Sequence, residues 1–256
     1  HRSFSRAKYI SSLIGKLSFA AQVLPGARPF MRRLIDTVAT VKFSHYFIKL
    51  DSRFQADITF WLLHLRAWNG TQRWRYSSPV VLSTDASLSG FGVLVELVPF
   101  LSATFRPGLA IAGQWSSHHL ASCIQSHSDI QFGELFAVYF ALYFFAAHLR
   151  HHHVRVMVDN SAVVHIVNRQ ATRHPLLAAL LRDIAYLCLQ HNIHLTAAWR
   201  PGELNIGADL LSRPSLHTPS VSVALARSYH MDASHVFFPV VFVVSSSVAP
   251  TNTMTI

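Results

Sequence analysis

The chain has 256 residues and a formal net charge of +10, with 51% hydrophobic and 13% charged residues. This composition provides for a substantial core and excludes wholesale disorder. Two cysteines, Cys123 and Cys188, exclude a disulfide framework and indicate a reducing compartment or indifference to redox. The sequence contains no recognisable address, so the compartment is unknown beyond an expected intracellular location, in cytoplasm or nucleus. The sequence begins with His1 rather than Met, so we expect a piece of a longer product, and no signal peptide is visible.

The basic excess lies entirely in the first third of the chain. Residues 1–77 carry thirteen Lys and Arg against three Asp, whereas residues 78–214 carry eight residues of each sign. Such a block favours a surface that faces a polyanion. A solvated basic face without a partner explains the charge about equally well.

Two apolar stretches fall short of a membrane span. The stretch 135–149 has 15 residues and predicts a helix that is buried on all sides. The stretch 236–244, VFFPVVFVV, predicts a strand or an exposed apolar tail. We therefore expect no membrane partner.

Residues 1–77 are predicted to be helical. The segment LIGKLSFAAQVLPGARPFMRRLIDTV has apolar residues at helical spacing and is interrupted at Pro25-Gly26. A second helix is predicted over DSRFQADITFWLLHLRAWNG. Its packed side is expected to hold six apolar residues: Phe54, Ile58, Trp61, Leu62, Leu65 and Trp68.

From Pro79 onward, strands and helices follow one another. PVVLSTDAS, GFGVLVEL and AIAGQWS predict three strands, and SDIQFGELFAVYFALYFFAAHL predicts a long helix. HHHVRVMVDNSAVVHIVNRQ predicts a strand that runs into a helix, and LLAALLRDIAYLCLQ another helix. HLTAAW predicts a strand and ELNIGADLLSR a short helix. The order β-β-β-α-β-α-α-β-α predicts an α/β layered domain.

Four acids occupy positions where an ionised carboxylate is costly. Asp85 and Asp159 each end an apolar strand, Glu134 enters an apolar helix, and Asp209 lies among leucines. No lysine occurs from Pro79 to the end of the sequence, and carboxylates without basic partners suit Mg²⁺ or Mn²⁺. Each acid alone is more simply explained as a cap or turn residue, and Asp159 suits an N-cap. The four together favour a metal site.

Four segments carry a family resemblance. STDASLSGFGVLV, FGELFAV, VMVDNSAVV and WRPGELNIGADLLSR resemble the signature segments of the ribonuclease H domain in retrotransposon reverse transcriptases. LIGKLSFAAQVLPGARPFMRRLI and the WNG turn resemble the thumb and connection region that precedes this domain in DIRS-like elements. The polymerase motif Tyr-x-Asp-Asp is absent from the sequence.

The resemblance covers about residues 8–214 and implies three parts. Residues 1–77 would form a basic helical thumb or connection region. Residues 78–214 would form a ribonuclease H-like fold, an α/β domain with a mixed five-stranded sheet and flanking helices. Residues 215–256 would be a tail of unknown role.

The resemblance also implies an activity, the metal-dependent endonucleolytic hydrolysis of the RNA strand of RNA–DNA hybrids within a retrotransposon reverse transcriptase. The family's Asp-Glu-Asp-Asp set falls on Asp85, Glu134, Asp159 and Asp209, which would hold two Mg²⁺ or Mn²⁺ ions. One position departs from the pattern. The family's mobile histidine, ten residues before the final Asp, is replaced by Trp199.

The expected partners are an RNA–DNA hybrid and the polymerase part of the same polyprotein. Candidate contacts to nucleic acid are Asn160, Asn205, Arg32 and Arg33. Two alternatives stay open. The chain could be a catalytically inactive nucleic-acid-binding remnant of such an element, or another member of the fold class, such as an integrase-like transferase or an exonuclease. The phrase around Asp209 argues against the second.

Overall fold

The computed structural model describes residues 4–24, 26–68, 78–100, 102, 105–115, 130–213 and 241–244. Two compact units make up the chain: unit 1, His1–Arg75, and unit 2, Tyr76–Ile256. Three regions named in the sequence analysis fall outside the described residues: the WNG turn beyond Trp68, Cys123 and most of the tail at 215–256.

Unit 1 combines three helices with a two-stranded ribbon. The predicted helices are confirmed, and so is the interruption between the first two: α1 ends at Val23, and Gly26 has a φ of 87°, which glycine adopts without strain. In chain order the elements are β1 (Phe4–Arg6), α1 (Ala7–Val23), a 3-10 turn (Arg28–Met31), α2 (Arg32–Ala39), β2 (Phe47–Lys49) and α3 (Ser52–Trp68).

Helix α3 buries a face that is rotated from the one that the sequence predicts. Phe54 and Trp61 are buried, and the Trp61 indole donates a hydrogen bond to the Phe30 carbonyl at 3.4 Å. Leu62, expected on the packed side, is 75% exposed. The buried positions of α3 are 54, 57, 60 and 61, so the packed side includes Phe60, which the sequence analysis did not place there, and Leu62 lies on the solvent side.

The ribbon of unit 1 was not predicted. Strands β1 and β2 pair antiparallel, with Phe4 opposite Lys49 and Arg6 opposite Phe47. Ile48, at the centre of β2, is buried, whereas its neighbours on both sides are exposed. One face of the ribbon therefore packs on the rest of unit 1, and the other face is exposed to solvent.

Unit 2 is built on a mixed sheet. Strand β3 pairs antiparallel with β4 and parallel with β6, while β4 pairs antiparallel with β5 and β6 parallel with β7. This arrangement confirms the predicted five-stranded sheet and gives unit 2 a ribonuclease H-like fold. A sixth strand, β8, pairs parallel with β5. The strands are β3 (Val80–Ala86), β4 (Gly90–Leu97), β5 (Ala110–Trp115), β6 (His153–Val158), β7 (His194–Trp199) and β8 (Val241–Val244).

The helices of unit 2 follow the predicted order. They are α4 (Ile130–Leu149), α5 (Ser161–Arg169), α6 (Pro175–Gln190) and α7 (Ile206–Ser212). A large apolar core joins α4 and α6 to the inner face of the sheet. Helix α7 packs instead on β3, β4 and β5 through a small cluster of Leu94, Ala112 and Leu211.

Helix α4 is the most apolar helix among the described residues. It has 20 residues rather than the 15 of the apolar stretch, because it begins at Ile130. Among the described residues it is the one helix long and apolar enough to cross a membrane. Its residues Leu135, Ala141 and Leu142 are fully buried in unit 2, which is how a core helix meets the same criteria.

Candidate active site

Two parallel strands bring the first pair of predicted acids together. Ser83 of β3 lies opposite Met157 of β6; two residues further along the chain, β3 reaches Asp85, and the backbone just past the end of β6 reaches Asp159. Because parallel strands end at the same edge of a sheet, both carboxylates face one cleft. This open cleft has a volume of about 970 Å³.

Glu134 completes a tight cluster from the neighbouring helix. Asp85, Glu134 and Asp159 each offer one carboxylate oxygen, and these three oxygens lie within 4.8 Å of one another. Glu134 is 3% exposed, and its Oε2 has no hydrogen-bond partner among the described residues. A buried carboxylate oxygen left without a donor is costly, and a cation would relieve that cost.

Asp209 joins the same cleft from helix α7, which approaches the sheet closely at Gly92. A Cβ at this position would lie 2.4 Å from the Ala208 carbonyl oxygen and 2.7 Å from the Ser212 nitrogen. Gly92 also lies directly opposite Asp85 in the β3–β4 pair. The missing side chain therefore lets α7 carry Asp209 and Ser212 to the end of β3.

Arg213 is the only cation among the described residues that line the cleft. Its guanidinium donates to Asp209 Oδ1 at 2.5 Å, an i, i+4 ion pair at the end of α7. The pair is partly exposed, with 52% of the Arg213 side chain and 37% of the Asp209 side chain accessible. The sequence analysis missed this pair, although the four-residue spacing of opposite charges signals it.

The environment raises the pKa of all three clustered acids. Burial raises the pKa of Asp85 to about 7; Asp159 and Asp209 add to the rise, while a Ser212 hydrogen bond and Arg213 oppose it. Burial, followed by the charges of Asp85 and Asp159, holds the pKa of Glu134 well above its usual value. Burial also raises the pKa of Asp159. Without a cation, the cluster cannot be fully ionised at neutral pH.

The two asparagines predicted to contact nucleic acid form hydrogen bonds with the protein backbone. Asn160, rather than Asp159, caps α5: its Oδ1 accepts from the Ala162 nitrogen at 3.0 Å and from the Val163 nitrogen at 3.4 Å. The Asp159 carboxylate therefore does not cap the helix and lines the cleft. Asn205 is fully buried, and its amide donates to the Thr84 carbonyl at 3.0 Å, so it supports the strand just before Asp85.

The two predicted arginines lie in unit 1 and are paired with acids. Arg32 contacts Asp36 at 2.6 Å within α2. Arg33 lies 3.5 Å from Asp57, a buried acid of α3. Ion pairs within the fold already use part of both charges, so these arginines are less available to phosphate than the sequence suggests.

Trp199 stands where the resemblance places a mobile histidine. Its indole nitrogen donates to the Asp159 carbonyl oxygen at 2.9 Å, although the side chain is 56% exposed. The Arg200 nitrogen donates to the Val158 carbonyl at 3.0 Å, so the ends of β6 and β7 are joined on both sides of Asp159. This residue is anchored and has no titratable group.

Comparisons with known proteins give one family model and several solved structures that are similar to the chain. The family model described as reverse transcriptase-like matches residues 112–214. No curated protein matches the chain. Among solved structures, the chain is 16% identical to a ribonuclease H1 of the archaeon Halobacterium salinarum, covering 52% of this chain and 94% of that one with a TM-score of 0.39.

Two further structures are similar. The N-terminal ribonuclease H domain of a Mycobacterium tuberculosis protein is 18% identical over 59% of this chain and 99% of that one, with a TM-score of 0.40. A foamy virus protease-reverse transcriptase, solved with an RNA/DNA hybrid, is 14% identical over 77% of this chain and 25% of that one, with a TM-score of 0.28. Strand order and acid placement together define unit 2 as a ribonuclease H-like domain.

Proposed function

We propose that this protein hydrolyses the RNA strand of RNA–DNA hybrids endonucleolytically and with a divalent metal, as part of a retrotransposon reverse transcriptase. The observation that carries the proposal is the cluster of three carboxylate oxygens within 4.8 Å of one another in an open cleft. Asp209 at the same cleft supplies the fourth acid that the resemblance implies.

The donor set fits Mg²⁺ or Mn²⁺. All four side chains offer hard oxygen ligands, the cluster is largely buried, and Glu134 Oε2 has no donor among the described residues. Asp85, Glu134, Asp159 and Asp209 would hold the metal, and we propose two ions. A bound divalent ion would supply Lewis-acid stabilisation of the charge that develops on the scissile phosphate.

The surrounding residues keep the acids in position. Ser212 donates from its hydroxyl to the Asp209 carbonyl at 2.8 Å, while its own carbonyl accepts from the Ser87 hydroxyl at 2.6 Å. The first bond lies within α7, and the second joins α7 to the turn after β3. Arg213 places one positive charge at the cleft, where it can offset Asp209 or contact a phosphate oxygen of the substrate.

Recognition should depend on the shape and backbone of the hybrid. The cleft is lined by acids, serines and one arginine, so it offers few groups that could read base edges. The basic first third would hold the duplex beside the cut, and the polymerase part of the same polyprotein remains the proposed protein partner. The match to a reverse transcriptase-like model supports this setting.

Trp199 favours a second candidate, a catalytically inactive remnant that binds nucleic acid. An anchored indole cannot move a proton as the family's histidine can. The four acids nevertheless stay together in one cleft, so hydrolysis remains the first proposal.

Cleavage of an end-labelled RNA–DNA hybrid with Mg²⁺ tests the proposal. Asp159→Asn should remove most of the cleavage, because the amide keeps the shape and loses the charge. Glu203→Gln is the matched control, because Glu203 is an exposed acid that follows Arg-Pro-Gly in the segment WRPGELNIGADLLSR. Wild-type cleavage by Asp159→Asn, Glu134→Gln and Asp85→Asn would contradict the metal assignment. No cleavage by the wild type, with hybrid binding retained, would establish the inactive remnant, and faster cleavage of DNA would revive the transferase and exonuclease alternatives.

A further inference from the structure

The solvent face of the β1–β2 ribbon alternates cations with aromatic rings. Strand pairing places Phe4 opposite Lys49 and Arg6 opposite Phe47, and paired residues share one face of a sheet. All four are exposed, with Phe4 at 54% and Phe47 at 63% accessibility. The Arg6 guanidinium lies 5.3 Å from the centre of the Phe47 ring. This face is a small checkerboard of two charges and two rings.

The residues beside the ribbon extend the same pattern. The Ala7 nitrogen donates to the Tyr46 carbonyl, and the Lys8 nitrogen to the Ser44 carbonyl, each at 2.9 Å, so the start of α1 lies against the turn before β2. Lys8 lies 5.0 Å from the Tyr9 ring, and Lys42 lies 5.8 Å from the Phe43 ring. Tyr9, Phe43 and Tyr46 are 60%, 46% and 45% exposed.

No carboxylate offsets this surface from within. Segments 4–9 and 42–49 contain four Lys and Arg and no acid. Asp51, the nearest acid in sequence after β2, accepts a hydrogen bond from the Phe54 nitrogen at 2.7 Å and so caps α3. The surface therefore suits a polyanion.

We propose that this ribbon surface, made of Phe4, Arg6, Lys8, Lys42, Phe47 and Lys49, binds single-stranded nucleic acid. Exposed rings stack on unpaired bases, and interspersed cations contact the phosphates between them. In a duplex the bases are stacked on one another, and the rings would stay unused. The inference goes beyond the proposed hydrolysis, does not rest on it, and assigns nucleic-acid contact to residues other than Arg32 and Arg33.

The geometry disfavours a lipid surface as the partner. Elements that lie on a membrane separate an apolar face, which enters the lipid, from a basic face, which meets the headgroups. Here rings and cations share one face of the ribbon, and the opposite face is closed by the buried Ile48. Rings could not enter lipid without drawing the charges with them.

Binding of the full chain to fluorescent oligothymidylate of about 16 nucleotides tests this inference. EDTA removes divalent cations, so the acid cluster binds no metal during the titration. The double variant Arg6→Gln/Lys49→Gln should bind more weakly, and its log–log salt slope should be shallower by about 1.4, since each lost phosphate contact on a single strand contributes about 0.7. Phe47→Ala should bind roughly tenfold more weakly with an unchanged slope.

Unit 1 provides matched controls on α1. Lys16 and Phe19 are exposed and lie 9 and 12 residues beyond Ala7, about 14 Å and 18 Å along the helix. Lys16→Gln and Phe19→Ala should bind like the wild type. Unchanged melting temperatures would show that all the variants fold. Equal losses of affinity in the ribbon and α1 variants would overturn the proposal, because binding would then depend on the overall positive charge of unit 1 and not on the ribbon.

Two further probes separate the competing partners. Tighter binding of a thymidylate–adenylate duplex of the same length, weakened by the same substitutions, would overturn the single-strand assignment. Vesicles of phosphatidylcholine and phosphatidylserine should not bind through the ribbon. Vesicle binding that is lost in the ribbon variants, with oligonucleotide affinity unchanged, would overturn the proposal in favour of a lipid surface.

Discussion

At the scale of single residues, Asp85 connects the parts of the acid cluster. It receives a hydrogen bond from Ser212, lies near Asp159 and Asp209, and has a pKa raised to about 7 by burial. Half of such a group is protonated at neutral pH, which disfavours a cation-free state with every carboxylate ionised. Arg213 is too exposed to balance three clustered acids. We therefore expect a divalent cation to stabilise this arrangement.

Mg²⁺ should therefore raise the melting temperature of the wild type. At a concentration of 100 times Kd the ligand adds about 2.7 kcal/mol, which corresponds to several degrees for a domain of this size. Asp159→Asn should lose most of this response, because it removes one charge from the cluster. Calorimetry with and without MgCl₂ measures both, and Glu203→Gln should respond like the wild type. An undiminished shift in Asp159→Asn would place the ion elsewhere.

At the scale of elements, the contact between α7 and β4 sets the position of Asp209. Gly92→Ala should push α7 outward, because the new Cβ meets backbone atoms of Ala208 and Ser212. We expect a loss of about 1–3 kcal/mol in the free energy of unfolding and a fall in hybrid cleavage. Gly15→Ala is the matched control, since nothing lies within 4 Å of a Cβ there. In the interior of α1 it should gain about 0.5–1 kcal/mol. Urea titrations that gave both variants the same sign would contradict this packing.

Helix α6 contains an acid that should make stability depend on pH. Burial raises the pKa of Asp183 from 3.8 to about 6, and the neighbouring Arg182 opposes this only in part. Because the folded pKa lies above the unfolded one, folding favours the protonated form, and stability falls as pH rises from about 4 through about 6. Asp183→Asn should be more stable than the wild type at pH 7 by about 2 kcal/mol and equally stable near pH 4. Urea titrations at the two pH values check this difference. A constant difference would contradict the assignment, and Asp36→Asn, at an exposed acid, should show no gain.

The elements of unit 2 could be predicted because their signals are local. Strand β4 was predicted with its observed bounds, Gly90–Leu97, because an apolar run begins at the Ser89-Gly90 turn. The ribbon of unit 1 could not be found this way, because strands of three residues have no measurable period. Asp159 was a reasonable cap by residue type, yet the sharper fit of Asn160 depends on where the strand ends.

The candidate site was predictable only as far as the acids themselves. The cost of an ionised carboxylate in an apolar segment can be read in sequence, and all four acids stood out for that reason. The ion pair of Arg213 with Asp209 is local to α7 and has a signal in the four-residue spacing, whereas the close approach at Gly92 depends on tertiary packing between α7 and the sheet. The burial of Asn205 depends on the same packing, so its place beneath the strand had no sequence signal.

At the scale of the whole molecule, chemistry divides between the two units. Unit 1 carries the basic excess and the ribbon surface, whereas unit 2 is balanced in charge and carries the acid cluster. A metal ion and a single strand should therefore bind at different units. Each ligand should stabilise its own unit first, because local opening of a compact unit is governed by the contacts within it.

Amide hydrogen exchange of the full chain can separate these two effects. Mg²⁺ should slow exchange in peptides from β3, α4, β6 and α7, because the acids that would hold the ion lie on or beside these elements. Oligothymidylate in EDTA should slow exchange in β1 and β2 and leave the unit 2 peptides unchanged. Asp159→Asn should lose the first response and keep the second, while Arg6→Gln/Lys49→Gln should do the reverse. Protection of the ribbon by Mg²⁺ alone would contradict the division, since the ribbon segments 4–6 and 47–49 contain no carboxylate to bind a cation.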